Sequence, residues 1–367
     1  MAKKDWMVRE SDLDNRQWKV LNAMLDKSLI VTGCPGSGKS VLAYLKAQRI
    51  LTERQKETFK VIVFTNTLRD FMRSGENGIG RNVTNHFVWK YTYVNDQWIP
   101  RDILSKADYI IVDEIQDFTK EEIMDFINCA NKNIFFFGDM AQSIFEGVPY
   151  YNNEPKHTLE IDKIPELLTQ CGKTYTSENL FYNYRLPIPV ARFVQNIGIG
   201  LEPMDESKYK SLENVLPKVV HYPDLEQQIK AISERIKHMP SKGDIAILVN
   251  NNAAVNNVSI LLNQNGIDHE IKSNSNNSRY TINFSSDLPK LMTYHSAKGL
   301  QFETVFIPNI SDSLFDDGKS QKALYVAMTR TYRNLFVFYS GTMPTKIQDR
   351  ISPKLYQTTL IDNIEDI

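Results

Sequence analysis

Residues 33–40 read Gly-Cys-Pro-Gly-Ser-Gly-Lys-Ser, directly after the apolar run Ser28-Leu-Ile-Val-Thr32 and directly before a helical pattern over 41–51. No other stretch limits the fold so strongly. A strand that feeds a glycine-rich turn, which then opens a helix, aims backbone N–H groups and the positive end of a helix dipole at one anion. Gly33, Gly36 and Gly38 permit the tight turn. Lys39 can reach the β and γ phosphates, and Ser40 can offer a hydroxyl to Mg²⁺. A turn that merely joined two elements would have no need of Lys and Ser after its last glycine. Nucleotide binding is the expectation.

A second signal lies in Asp108-Tyr-Ile-Ile-Val-Asp-Glu-Ile-Gln-Asp117. The apolar centre suits a buried parallel strand. Asp113 and Glu114 then fall at its carboxyl end, where doubly wound sheets place their ligands. Asp113 is suited to holding Mg²⁺, and Glu114 can accept a proton from an attacking water.

The chain has 367 residues, enough for about two domains of ordinary size. No apolar run approaches the ~20 residues of a membrane span. The first residues, Met1-Ala-Lys-Lys-Asp-Trp, lack the apolar centre of a signal peptide. Cys34, Cys129 and Cys171 have neither metal-ligand spacing nor a disulfide framework, which fits a reducing, cytoplasmic setting. The formal net charge of −1 means that any nucleic-acid contact must come from a local groove rather than a globally basic surface.

Strand and helix patterns alternate in two blocks. Strands are expected over 29–32, 61–65, 110–113 and 134–138, then over 219–222, 244–249, 291–294, 305–308 and 335–339. Helices are expected over 41–51, 121–130, 225–238, 254–265 and 319–329. Both blocks read as α/β with mostly parallel sheets flanked by helices. The stretch 186–217 is the expected bridge.

Further motifs follow in order: Leu13-Asp-Asn-Arg-Gln17, Phe135-Phe-Phe-Gly-Asp-Met-Ala-Gln-Ser-Ile144, Asn183-Tyr-Arg185, Thr293-Tyr-His-Ser-Ala-Lys-Gly-Leu-Gln-Phe302 and Tyr325-Val-Ala-Met-Thr-Arg330. Together with the phosphate loop and the Asp-Glu pair, this series resembles the motor motifs of the superfamily-one helicases, in particular the UvrD/Rep/PcrA branch, from about residue 13 to about 338. The resemblance implies two RecA-like P-loop NTPase domains, 1–186 and 187–367, that hydrolyse ATP with Mg²⁺ in the cleft between them. It implies that Gln17 reads the adenine edge, that Tyr184 stacks on adenine, and that Gln142 senses the γ phosphate. It also implies that Arg185 and Arg330 neutralise charge on the transferred phosphoryl group. A fixed, always-charged fork suits that task. Phe64, Thr84, His86 and His295 match strand-contact positions, and such a set can stack on bases and grip phosphates. The implied partner is single-stranded DNA, travelled 3′ to 5′. Stacking and phosphate grip serve RNA as well, so that choice stays open.

The chain departs from the family pattern in three places. Gly147 stands where the family has a tryptophan, with Tyr150 and Tyr151 as candidate substitutes. Gln301 replaces a glutamate and keeps only hydrogen-bonding capacity toward a ribose. The two large accessory subdomains of relatives are missing from their usual places. One is replaced by a stretch around Tyr91-Thr-Tyr-Val-Asn-Asp-Gln-Trp98 that reads as a small hairpin, the other by a polar loop over 272–278. A compact motor core is therefore expected. The alternative is a regulatory or loading ATPase in a larger assembly, for instance beside a nuclease.

Overall fold

The computed structural model describes residues 10–74, 78–95, 97–139, 144–146, 154–239, 242, 244–272 and 282–358. The polar loop from 273 onward, Gln142, Gly147, Tyr150 and Tyr151 lie outside them. The chain divides into two compact units, one ending at Tyr182 and the other beginning at Asn183. Asn183, Tyr184 and Arg185 therefore belong by their contacts to the second unit.

The first unit contains β1 (Ser28–Gly33), β2 (Phe59–Val63), β3 (Val83–Asn85), β4 (Tyr91–Val94), β5 (Gln97–Pro100), β6 (Ala107–Val112), β7 (Ala130–Gly138) and β8 (Tyr175–Leu180). Its helices are α1 (Asn15–Asn22), α2 (Lys39–Glu53), α3 (Asn66–Arg73), α4 (His86–Lys90), α5 (Lys120–Cys129) and α6 (Ile164–Gln170). Six strands form one parallel sheet in the order β3-β2-β6-β7-β1-β8. The central strands are buried along their apolar runs, 109–112 and 134–138, as continuous hydrophobic stretches in a parallel sheet require. Helix α5 starts where Thr119 and Glu122 close a capping box. On one face, Phe118 and Phe126 meet edge to face at 5.0 Å and pack with Ile110, Val112, Ile134 and Phe136. Strands β4 and β5 form the expected antiparallel hairpin, with Asn95 in the left-handed region at φ 47°. Tyr93 and Trp98 face each other across it and are exposed.

Helix α1 is fastened at both ends. Asp14 caps its start and shares a capping box with Gln17. At its end, Lys46 of α2 donates to the carbonyls of Val20, Leu21 and Ala23, and Arg49 Nη1 donates to Leu21 O at 2.7 Å. Burial pushes the Lys46 ammonium down to about 8.

The second unit contains β9 (Lys218–His221), β10 (Ile245–Val249), β11 (Glu270–Ile271), β12 (Lys290–Thr293), β13 (Phe302–Ile310) and β14 (Thr331–Tyr339). Its helices are α7 (Ile188–Gln195), α8 (Leu225–His238), α9 (Asn252–Gln264), α10 (Gly318–Met328) and α11 (Thr345–Arg350). Its sheet is again parallel, in the order β11-β12-β10-β13-β14-β9. Side chains of Asp224, Asn251 and Asp317 cap α8, α9 and α10. Both units thus have the α/β architecture of a RecA-like domain. The expected bridge over 186–217 contains α7, whose residues Val190, Phe193 and Val194 are buried. Among the described residues, no helix is long and apolar enough to cross a membrane.

Truncating Phe126 to alanine removes the centre of the aromatic packing under the first sheet. The expected loss is about 3–5 kcal/mol of stability, read as a lower denaturant midpoint for that unit.

Candidate nucleotide site

Strand order builds the site. Strand β7 lies between β1 and β6, so the carboxyl ends of three parallel strands come together at one edge of the first sheet. The phosphate loop leaves β1, Asp113 and Glu114 leave β6, and Asp139 leaves β7.

The loop turns through Gly36 at φ 73° and Gly38 at φ 88°, and Gly38 caps α2. A side chain at Gly38 would be strained by that φ and would also meet Gln17 Nε2 at 2.9 Å. Gly33 is equally confined, because a Cβ there would lie 2.8 Å from the Leu180 carbonyl oxygen of β8. Lys39, the first residue of α2, donates from Nζ to Gly33 O at 2.9 Å and to Cys34 O at 2.8 Å. It lies 3.6 Å from Asp139 Oδ2. Gln17 is buried beside the loop and donates from Nε2 to Ser37 O at 3.0 Å.

Asp113 is 1 % exposed. The Glu114 N–H donates to its Oδ1 at 3.0 Å, whereas Oδ2 is buried with no hydrogen-bond partner. Burial, and then the Glu114 carboxylate, hold the Asp113 carboxyl well above the usual carboxylate range; the Ser40 hydroxyl and the Lys39 charge act in the opposite direction. An unsatisfied carboxylate oxygen beside a hydroxyl is a donor set that a hard divalent cation completes, so these residues fit Mg²⁺. Glu114 is buried, with φ 58° and ψ 44°. A non-glycine residue in that region is uncommon and turns the chain abruptly off the strand. Gln116, to which no sequence motif assigns a role, donates from Nε2 to Glu114 Oε2 and accepts the Asp139 N–H at 2.9 Å.

The second unit carries the remaining nucleotide candidates. The Asn183 side chain accepts from the N–H groups of Arg185 (3.0 Å) and Leu186 (2.8 Å), which shapes the Asn-Tyr-Arg turn. Tyr184 is 36 % exposed. Arg330 is 1 % exposed; it donates from Nε to Val326 O at 2.9 Å and from Nη2 to Thr329 Oγ1 at 3.1 Å. Gly299 turns at φ 82° ahead of the half-buried Gln301. His295 is half-buried, and its imidazole is held below its ordinary pKa by burial and by Lys298.

The strand-contact candidates of the first unit separate. Phe64 and Thr84 are half-buried, with Phe64 packed on Phe118 and Phe145 and covered by Lys156 Nζ at 4.4 Å. His86 does not fit the expected contact role. It is 1 % exposed among Trp89, Phe118 and Phe126, with Nε2 3.6 Å from Glu122 Oε1. Burial, with Lys156 and Lys90 nearby, pushes its imidazole down to about 3 despite Glu122. The pattern Thr-x-His is visible in sequence, but the enclosing aromatic shell of Phe118, Trp89 from α4 and Phe126 from α5 is not.

The fold and this edge of the first sheet define a P-loop nucleoside triphosphatase built of two RecA-like units. Sequence comparison matches residues 17–148 to an AAA domain and residues 273–342 to a UvrD-like helicase C-terminal domain, together more than half of the chain. The chain belongs to the UvrD-like helicases, ATP hydrolases of the DNA helicase type. No curated protein matched it in a sequence comparison. Among solved structures, the C-terminal domain of a possible DNA helicase from Lactobacillus plantarum WCFS1 is similar at 17% identity and a TM-score of 0.36. That match covers 48% of this chain and 98% of the other.

The burial of His86 has a titration consequence. Its folded pKa lies below the unfolded value of 6.5, so between pH 6.5 and 3 the unfolded chain takes up a proton that the folded chain refuses. Stability therefore falls as pH drops through that window, by up to about 1.4 kcal/mol per pH unit. Urea midpoints at pH 7 and pH 5 are expected to differ less in His86→Asn than in the unaltered protein.

Proposed function

We propose that the protein is a nucleic-acid-dependent ATP motor that moves along single-stranded DNA in the 3′-to-5′ direction. The observation that carries this reading is the convergence of Lys39, Ser40, Asp113 and Glu114 on one sheet edge, with a buried carboxylate oxygen left for a cation. Lys39 and the loop N–H groups hold the phosphates. Ser40 and Asp113 would hold Mg²⁺, which neutralises charge on the β and γ phosphates. Glu114 accepts the proton of the attacking water. Gln17 and Tyr184 contact the base, Gln301 the ribose, and Gln142 the γ phosphate. In this proposal Arg185 and Arg330 of the second unit neutralise the transferred phosphoryl group when the two units close on ATP. Phe64, Thr84 and His295 remain the proposed strand contacts, and alternation between two grips yields net travel.

ATP turnover measured with and without single-stranded DNA tests this reading. Strong stimulation is expected, with Lys39→Ala and Glu114→Gln each lowering turnover at least a hundredfold. Turnover indifferent to DNA and RNA would instead favour a nucleotide-switched subunit of a larger assembly, with a nuclease as one candidate partner. Direction is read from displacement of 3′-tailed against 5′-tailed duplexes at fixed salt, with the 3′-tailed substrate preferred.

A further inference from the structure

The motif Asp113-Glu-Ile-Gln-Asp117 contains two buried polar side chains to which the proposed mechanism gives no task, Gln116 and Asp117, and the first of them touches Glu114. Gln116 is 2 % exposed and sits on the single 3₁₀ turn Ile115–Asp117 that follows Glu114. Its carboxamide is used at both ends. Nε2 donates to Glu114 Oε2, and Oε1 accepts the Asp139 N–H at 2.9 Å. The two neighbours dictate which end is which: a carboxylate can only accept and a backbone N–H can only donate. The same Asp139 places Oδ2 3.6 Å from Lys39 Nζ. Space for the amide is made by Gly138, where a Cβ would lie 2.9 Å from Gln116 Oε1 and 2.3 Å from Ile115 Cγ2.

We propose that Gln116 is a positioning residue for hydrolysis: it fixes the orientation of the Glu114 carboxylate against the end of β7, in register with Asp139 and the Lys39 ammonium. Glu114 leaves its strand through a left-handed backbone turn, and a long carboxylate there has rotamers that Gln116 removes. A general base contributes only when its oxygen meets the water at hydrogen-bonding distance, and a displacement of about 1 Å costs roughly a hundredfold. Lys39 and the phosphate loop hold ATP without help from Gln116, so the effect falls on turnover rather than on binding. This inference rests on the reading of Glu114 as the base.

The test uses the full-length protein with DNA-stimulated ATP hydrolysis, a fluorescent ATP analogue for affinity, and thermal melts for folding. Gln116→Leu keeps the volume and removes both hydrogen bonds. Gln116→Glu keeps the shape and sets an acceptor against the Glu114 carboxylate. Both are expected to lower kcat about ten- to hundredfold, with KM for ATP and analogue affinity within about threefold of the unaltered protein. Gln116→His offers one donor and one acceptor across a similar span and is expected to recover part of the lost kcat. Turnover within twofold in Gln116→Leu and Gln116→Glu overturns the proposal. So does a loss that appears in KM and affinity instead of kcat. Unfolding of both variants assigns Gln116 to the scaffold and overturns it as well. Glu114→Gln is run alongside. Full activity there sinks the base reading itself, whereas an inactive Glu114→Gln with normal Gln116 variants sinks only the positioning role.

Discussion

The chemistry of the first unit depends on the register of three parallel strands. Thr32 of β1 pairs with Gly138 of β7, and Val112 of β6 pairs with Phe136 two residues earlier on β7. Glu114 leaves β6 two residues after Val112, so it comes level with Gly138, and Asp139 comes level with the start of the phosphate loop. A slip of one residue at either pairing would send these side chains to the opposite face of the sheet. The apolar residues Val112, Phe135, Phe136 and Phe137 are fully buried on both faces, and that burial holds the register.

Around this edge the polar groups are joined rather than merely adjacent. Lys39 reaches Asp139, the Asp139 amide reaches Gln116, Gln116 reaches Glu114, and the Glu114 amide returns to Asp113. Buried polar groups in contact of this kind are rigid when each has a partner, and costly where one does not. At this edge Asp113 Oδ2 is buried without a hydrogen-bond partner, at the position where a cation fits. The neighbouring buried set of His86, Glu122 and Lys156 behaves differently. There Lys156 pairs with Glu122 at 2.8 Å and lies over two aromatic rings, so the charges serve packing.

Much of this was legible in the residues. Glycine spacing, a strand before and a helix after located the phosphate loop, and apolar runs located the central strands of both sheets. Helix α8 begins and ends where its sequence pattern over 225–238 indicates. Three kinds of element escaped. Strand β8 reads Tyr-Thr-Ser-Glu-Asn-Leu, a polar edge strand whose partner β1 supplies the hydrogen bonds that its own sequence does not advertise. The short α1 and α3 depend on caps at Asp14 and Thr65 and on tertiary packing more than on length. The enclosure of His86 is set by residues from α4 and α5, more than thirty positions apart at their widest, and no local pattern carries it. Gln116 was in plain view, but its two partners became visible only when β6 and β7 were laid side by side.

The double engagement of Gln17 has a further consequence. One end of its amide completes the hydrogen bonding at the start of α1 by accepting the Asp14 N–H at 3.0 Å, and the other grips Ser37 in the loop. A nucleobase that recruited this amide would have to displace one of these contacts. If it took the oxygen, the opening turn of α1 would lose part of its cap, worth about 1 kcal/mol, while Lys46 and Arg49 kept the far end clamped. Base recognition at Gln17 would then be thermodynamically tied to fraying of the leading segment, and a ligand without a base would leave that segment wound.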